Sequence, residues 1–208
     1  MTKYILAIDT STGPCSVAVW GNERITAYVE NIKPVMQSKS IVPMIEDALT
    51  QSGITYRDLA CVVSTVGPGS FTGIRVGLAT ARGIAFSAGI PCAGYTTLDV
   101  LAHATGSAGR VLAILNAGKG EWYYQEFSGS VPLFAPRVGV LEDAVATTAP
   151  ITVSGNADIS ISGFTHCGTT FPRADALAAL AANAAANAQE LRPYYIREPD
   201  AKLPTKIA

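Results

Sequence analysis

Asp9 closes the apolar run YILAID at 4–9, and the polar turn TSTG at 10–13 follows it. A carboxylate at a strand end, with Thr12 and Gly13 beside it, is a way to hold hydrated Mg²⁺ next to phosphate. Such a site ordinarily takes a second carboxylate from a facing element, because one carboxylate and water bind Mg²⁺ weakly. The matching turn here is AGKGE at 117–121, and the residue before it is Asn116, a neutral amide. Lys119 in that turn can attract phosphate. The other role open to Asp9 is structural, capping turn N–H groups, and the residue types favour it.

The loop GPGSFTG at 67–73 has two readings. It is either a cradle of backbone N–H groups for an anion at a helix N-terminus, or a tight strand-to-helix connection that shapes a partner surface. It lacks the GxxxxGK[ST] form, and Arg75 is the nearby base, so the architectural reading is preferred.

Other chemistry is thinly supported. His103 and His166 are far apart in sequence, and Cys15, Cys61, Cys92 and Cys167 show no paired metal spacing; the cysteines read as buried free thiols. Ser40, Ser70 and Thr72 have no local base, and no GxSxG elbow is present. Arg192, Tyr194, Tyr195 and Arg197 form a polar-aromatic cluster, read either as an interface edge or as tyrosines covering apolar surface.

The elements that must position these residues follow from periodicity. Short apolar or alternating runs at 4–9, 15–20 and 25–30 predict a three-stranded meander. A helix is predicted over 38–52, with Ile41, Ile45, Ala48 and Leu49 on one stripe and Gly53 at its end. Pro43 either starts its regular part or kinks it. Strands are predicted at 61–66 and 91–94. The segment 72–88 reads as a helix with two apolar stripes, Ile74, Leu78, Ala81 and Ala85 on one and Val76, Ala79, Gly83 and Phe86 on the other. A helix this apolar is expected to be buried nearly all round, one side on the sheet and the other under a partner. Arg75 and Arg82 share a face, and Gly73 and Gly77 permit close approach. Thr96 or Thr97 is expected to cap a helix carrying Leu98, Leu101 and Ala102.

After GSAG at 106–109 the opening pattern recurs, with strands at 111–116 and 122–127 around a turn. This predicts two related α/β subdomains, each beginning with a hairpin. Loop and a short helix near 140–147 are expected next, then a strand at 151–154. The alanine-rich 174–190 is expected to be a helix and 194–197 extended.

Of the 208 residues, 49% are apolar and 15% charged, low against the ~25% usual for soluble domains, which suggests surface hidden against a partner. The net charge of −1 is no electrostatic footprint for nucleic acid. The opening run is not a signal peptide, no 18-residue apolar stretch occurs, and a cytoplasmic protein is expected.

Three blocks, ILAIDTST with SVAVW, GPGSFTGIRVGLATARGIA, and RPYYIREPDA, resemble the TsaB family, also called YeaZ, of bacterial tRNA threonylcarbamoyladenosine biosynthesis proteins. The resemblance spans nearly the whole chain. It implies an actin-like ATPase (ASKHA superfamily) fold of two ribonuclease-H-like subdomains, 1–107 and a reduced 108–208, the C-terminal segment able to return to the first.

It further implies a non-catalytic scaffold for N6-threonylcarbamoylation of adenosine 37 in tRNAs reading ANN codons. Its partners would be a TsaD-like transferase and a TsaE-like ATPase, with a homodimer when alone, tRNA met only through the complex, and no membrane. No catalytic residue, metal or cofactor is expected in the isolated chain, and ATP is a cofactor of the assembled complex. The family's pairing helices fall here on 38–52 and 72–88. The implied interface is Ile41, Ile45, Leu49, Gly69, Ser70, Phe71, Thr72, Gly73, Arg75, Val76, Gly77 and Ala81. Gly77→Arg or Leu78→Asp is then expected to abolish pairing and leave a folded monomer. The catalytic relative carries a histidine pair on its first helix, where this chain has Gln37 and no histidine. The family's D-A-R at the second turn is replaced by Asn116, Ala117 and Gly118. An actin-like ATPase or phosphotransferase, and a glycoprotease-like peptidase, stand as rival readings.

Overall fold

The computed structural model describes residues 3–33, 37–146, 151–160, 162–183 and 188–197. The chain opens with β1 (Tyr4–Asp9), β2 (Cys15–Gly21) and β3 (Arg24–Asn31), then α1 (Gln37–Ser52), β4 (Leu59–Gly67), α2 (Phe71–Ala88), β5 (Cys92–Thr96) and α3 (Thr97–Ala104). The second half holds β6 (Arg110–Gly118), β7 (Glu121–Ser128), β8 (Val131–Pro132), β9 (Arg137–Gly139), α4 (Leu141–Val145), β10 (Ile151–Gly155), β11 (Phe164–His166) and α5 (Ala174–Asn183).

Two sheets result, as the repeated hairpin predicts. The first has the order β3-β2-β1-β4-β5, antiparallel through β3, β2 and β1 and parallel from β1 to β5. The second has the order β11-β10-β6-β7-β8, with β9 also on β7. Its β6–β7 hairpin is antiparallel and β10 and β11 add in parallel, the same plan as the first sheet.

Strand alternation distributes the helices. Leu6 and Ile8 of β1 face a core shared with Ile41 and Ile45 of α1 and Ile74 and Leu78 of α2. Ala7 points the other way, into a core with Ala18, Val63 and Leu177 of α5. Thus α1 and α2 cover one face of the first sheet, and α5 returns to cover the other. The helix buried on all sides is α3: Leu98 and Leu101 join Val111 and Leu115 of the second sheet, and Val100 joins the core under α5. One side of α2 lies on the sheet, as expected, and the other is uncovered in the single chain. Its inner stripe is buried, but Phe86 on the outer stripe is 91% exposed.

Helix ends follow local chemistry. Ser70 Oγ accepts from Gly73 N at the start of α2, and Gly89, at φ 65°, ends it. Thr96 caps α3, with Asp99 reaching back to the Thr96 N–H. The first helix starts at Gln37 and runs through Pro43, whose position is exposed.

Two expectations are corrected. The short strands β8, β9 and β11 have no period long enough to read. The alanine-rich helix is described only to Asn183; residues 184–187 lie outside the described residues, and 188–190 are extended. Gln189 exchanges both backbone hydrogen bonds with Gly94, at 2.8 Å each. Strand β5 is the last of its sheet, and Gln189 pairs with it in place of continuing a helix.

Candidate functional site

Asp9 is wholly buried at the end of β1. Its Oδ1 accepts from Thr65 Oγ1 at 2.6 Å, Ser11 Oγ at 2.7 Å and Ser11 N at 3.3 Å. Its Oδ2 has no partner. Burial pushes the carboxyl up from its ordinary 3.8 to about 6, against the hydrogen bonds from Thr65 and Ser11, which pull it down. An acid whose folded value is raised holds its proton more tightly when folded. Its contribution to stability is full below the unfolded value and is lost as pH rises through about 6. Between those limits the loss is on the order of 3 kcal/mol. Asn in place of Asp9 keeps an acceptor for Ser11 and Thr65 and never ionises. Urea unfolding at pH 4.5 and 7.5 should therefore show wild type losing about 2 kcal/mol relative to Asp9→Asn between those two pH values, the remainder of the loss falling below pH 4.5. An identical pH dependence in both proteins rejects the assignment.

The turn above Asp9 is locked from two sides. Thr10 Oγ1 donates to Gly73 O at 2.7 Å, and Ser70 N donates to Ser11 O at 2.7 Å. Gln37 Nε2 donates to Thr12 O at 2.5 Å and Gly13 O at 3.2 Å. The glycines of the 67–73 loop allow these approaches: a Cβ on Gly69 would lie 2.1 Å from Ser11 O, and one on Gly73 2.0 Å from Thr10 O.

Asn116 heads the corresponding turn of the second sheet. Its Oδ1 accepts from Gly118 N at 2.7 Å, as Asp9 Oδ1 accepts from Ser11 N, and its N–H donates to Asn156 Oδ1 at 2.8 Å. Lys119 follows in a left-handed conformation at φ 58°. The two turns face one cleft of about 350 Å³, lined by Ser11, Thr12, Gly13, Gly69, Ser70, Asn116, Ala117, Gly118 and Asn156 among others.

The donors do not fit a magnesium–phosphate group. Asp9 is sealed beneath the turn, the facing residue is an amide, and the N–H groups of Ser70 and Gly73 are already bonded, to Ser11 O and Ser70 Oγ. Among the described residues no three His, Cys, Asp or Glu side chains gather as metal ligands. All four cysteines are free; Cys15 is buried, Cys61 and Cys92 are half-buried, and Cys167 is exposed, which corrects the expectation of four buried thiols. Among the described residues no helix is long and apolar enough to cross a membrane.

The residues assigned to a partner face divide sharply. Ile41, Ile45, Leu49, Gly73, Gly77 and Ala81 are buried within this chain, because they form the stripes by which α1 and α2 grip the sheet. A Cβ on Gly77 would lie 2.4 Å from Thr10 Oγ1, so this glycine serves helix-on-sheet contact. Ser70, Phe71, Thr72 and Arg75 are exposed, and Gly69 and Val76 are half-buried. The outer surface of α1 and α2 is built from these and from residues the interface assignment omitted: Val42, Ala79, Gly83 and Phe86. The signal for the last three was present in the second apolar stripe of 72–88. Beside Phe86 a groove of about 460 Å³ is lined by Tyr56, Arg57, Gly83, Ile84, Ser87 and Ala88.

Known proteins share both sequence and fold with this chain. The family model for TsaD, tRNA N6-adenosine threonylcarbamoyltransferase, matches residues 36–202. The tRNA threonylcarbamoyladenosine biosynthesis protein TsaB of Escherichia coli K12 is 41% identical over 126 residues, 59% of this chain and 54% of that protein. The TsaB of Buchnera aphidicola subsp. Schizaphis graminum is 39% identical over 130 residues, 61% of each. The matched region thus spans little more than half the length of these curated relatives. A Pseudomonas aeruginosa protein with similarity to peptidase YEAZ superposes with a TM-score of 0.83 at 25% identity, covering 94% of this chain and 100% of its own. YeaZ from Pseudomonas aeruginosa has the same fold, with a TM-score of 0.80 at 24% identity over 93% of this chain and 99% of its own. With most of its length matched by the family model, the chain belongs to the TsaD family; it is similar in sequence to the TsaB proteins and in fold to YeaZ.

Proposed function

We propose that this chain is a non-catalytic scaffold subunit in tRNA threonylcarbamoyladenosine biosynthesis, required for N6-threonylcarbamoylation of adenosine 37 in tRNAs reading ANN codons. It pairs with a TsaD-like transferase through the outer faces of α1 and α2, activates that subunit, and helps recruit a TsaE-like ATPase. The assembled complex uses ATP and meets tRNA; alone, the chain forms a homodimer by the same faces.

The observation that carries this reading is the outer stripe of α2. Phe86 is 91% exposed, next to exposed Ala79 and Gly83, and Val42 of α1 is 52% exposed. Small residues at helix spacing let a second helix approach closely, and one large ring beside a groove is the usual form of a binding anchor. Burying such a ring gains about 1.5–3 kcal/mol, so one side chain makes a tenfold to hundredfold difference in affinity.

The test is mass by light scattering, chain alone and mixed with the matching TsaD-like subunit, together with ATP hydrolysis by the isolated chain. A stable heterodimer without intrinsic turnover is the expected result. In Phe86→Asp, calorimetry should show partner affinity reduced by about 30-fold or more, with unfolding stability within about 0.5 kcal/mol of wild type. Unchanged affinity in that variant rejects this face. ATP turnover by the isolated chain that disappears in Asp9→Asn replaces the scaffold reading with an actin-like ATPase, and labelling by a covalent serine probe would favour a peptidase.

A further inference from the structure

We propose that residues 188–197 form a strap that latches the two halves of the molecule together across the cleft and mechanically joins the start of α2 to the β6–β7 turn. The segment leaves the edge of β5 at Gln189, where it pairs with Gly94. Leu191 is buried in the core beneath α1 and α2, and its carbonyl accepts from the Arg82 guanidinium. Tyr194 N donates to Val66 O at 2.8 Å, at the end of β4. The Tyr195 ring stacks on Phe71 with centroids 5.5 Å apart, its hydroxyl accepts from Arg75 Nε at 3.1 Å, and the Arg75 guanidinium lies 3.7 Å from the Phe71 ring centroid. Two residues later the segment has reached the other half. Arg197 Nη1 donates to Ala117 O at 3.3 Å, and the guanidinium pairs with the Glu121 carboxylate.

This path accounts for the first glycine of the 67–73 loop. A Cβ on Gly67 would lie 2.7 Å from the Tyr194 carbonyl oxygen, and its φ of 113° already disfavours any other residue. The loop is therefore shaped on one side by the Ser11 turn and on the other by the strap.

The two ends of the strap differ in strength. On the first half it is fixed by backbone pairing, a buried leucine and an aromatic stack. On the second half it holds by Arg197, whose partner Glu121 is 39% exposed, and an ion pair so placed opens readily. Meanwhile α3, packed between both sheets, sits where the halves are joined by apolar contact. An apolar hinge at α3 and a polar latch at Arg197 let the cleft open without disturbing either core. Because Phe71 is both the first residue of α2 and the platform for Tyr195, a change at the start of α2 reaches the cleft through the strap. The inference does not depend on which partner, if any, α2 meets.

Hydrogen–deuterium exchange read by mass spectrometry on the full chain tests this. In Arg197→Ala, backbone amides of 115–123 and 10–13 should exchange about tenfold faster, while amides of β1 and β4 keep their rates. Phe71→Ala should do the same at 115–123, although its ring packs on the first half. Arg197→Lys, which keeps a positive charge and a donor for Ala117 O and Glu121, should retain most of the protection. Unchanged protection of 115–123 in Arg197→Ala or Phe71→Ala overturns the strap. So does a rise spread evenly over all peptides, or a loss in Arg197→Lys as large as in Arg197→Ala.

Discussion

Leu78→Asp should leave no cooperatively folded chain at 25 °C. Leu78 is 2% exposed, in the core built from Leu6, Ile8, Val62, Ile45 and Ile74. Truncating a buried leucine costs about 2–5 kcal/mol. The new carboxylate must either be buried charged and unpaired or take up a proton at neutral pH, which costs about 3–5 kcal/mol more. The sum, roughly 5–10 kcal/mol, is comparable with the whole stability of a typical domain, about 5–15 kcal/mol. Gly77→Arg is expected to fail in the same way, since even its Cβ would lie 2.4 Å from Thr10 Oγ1 and 3.0 Å from Ser64 Oγ. Circular dichroism on heating checks both. A monomer melting with the wild-type midpoint would mean that the buried stripe of α2 is misassigned. The sequence pattern alone suggests the opposite outcome, a folded monomer that has lost pairing. That outcome belongs instead to Phe86→Asp on the other stripe.

Two glycine-to-alanine changes in the same helix should act in opposite directions. A Cβ at Gly73 would lie 2.0 Å from the Thr10 carbonyl oxygen and 2.7 Å from Gln37 Oε1; the first is backbone and cannot swing aside. The helix must lift from the turn that Thr10 Oγ1 now ties to Gly73 O. Gly73→Ala should lower stability by about 3 kcal/mol, the upper end for overpacking. For a chain of this size that is a fall of roughly 6–12 °C in Tm. At Gly83 a Cβ would meet nothing within 4 Å. Gly83→Ala therefore gains only helix propensity, about 0.5–1 kcal/mol, or roughly 2 °C. Differential scanning calorimetry of the two variants decides the matter. A rise for Gly73→Ala, or an equal fall for both, contradicts the packing described.

Most elements were legible because their signals are local. Runs such as YILAID and CSVAVW have the length and β-branched content of buried strands, and Ser70, Thr96 and Gly89 carry the chemistry of helix ends. The repeated hairpin announced two related halves. The contrast between Asp9 and Asn116 was visible as residue type before either turn had a geometry. The short strands β8, β9 and β11 were illegible because two or three residues carry no period. The end of the alanine-rich helix was illegible because its competitor, the edge of β5, is about 95 residues away in the chain.

The sequence by itself determined the two-lobed α/β plan, the turns that face each other, and the existence of two apolar stripes on α2. It also set a neutral amide, Asn116, where a paired-carboxylate site would need its second acid. Only the tertiary structure decided which stripe faces inward. The two stripes are alike in hydrophobicity, and the choice rests on Gly73 and Gly77, which alone let the helix backbone sit against Thr10 and Ser64. Tertiary structure likewise decided that Asp9 is sealed beneath its turn and that Arg197 reaches the opposite hairpin. Burial and long-range contact are properties of the packed chain, not of any window along it.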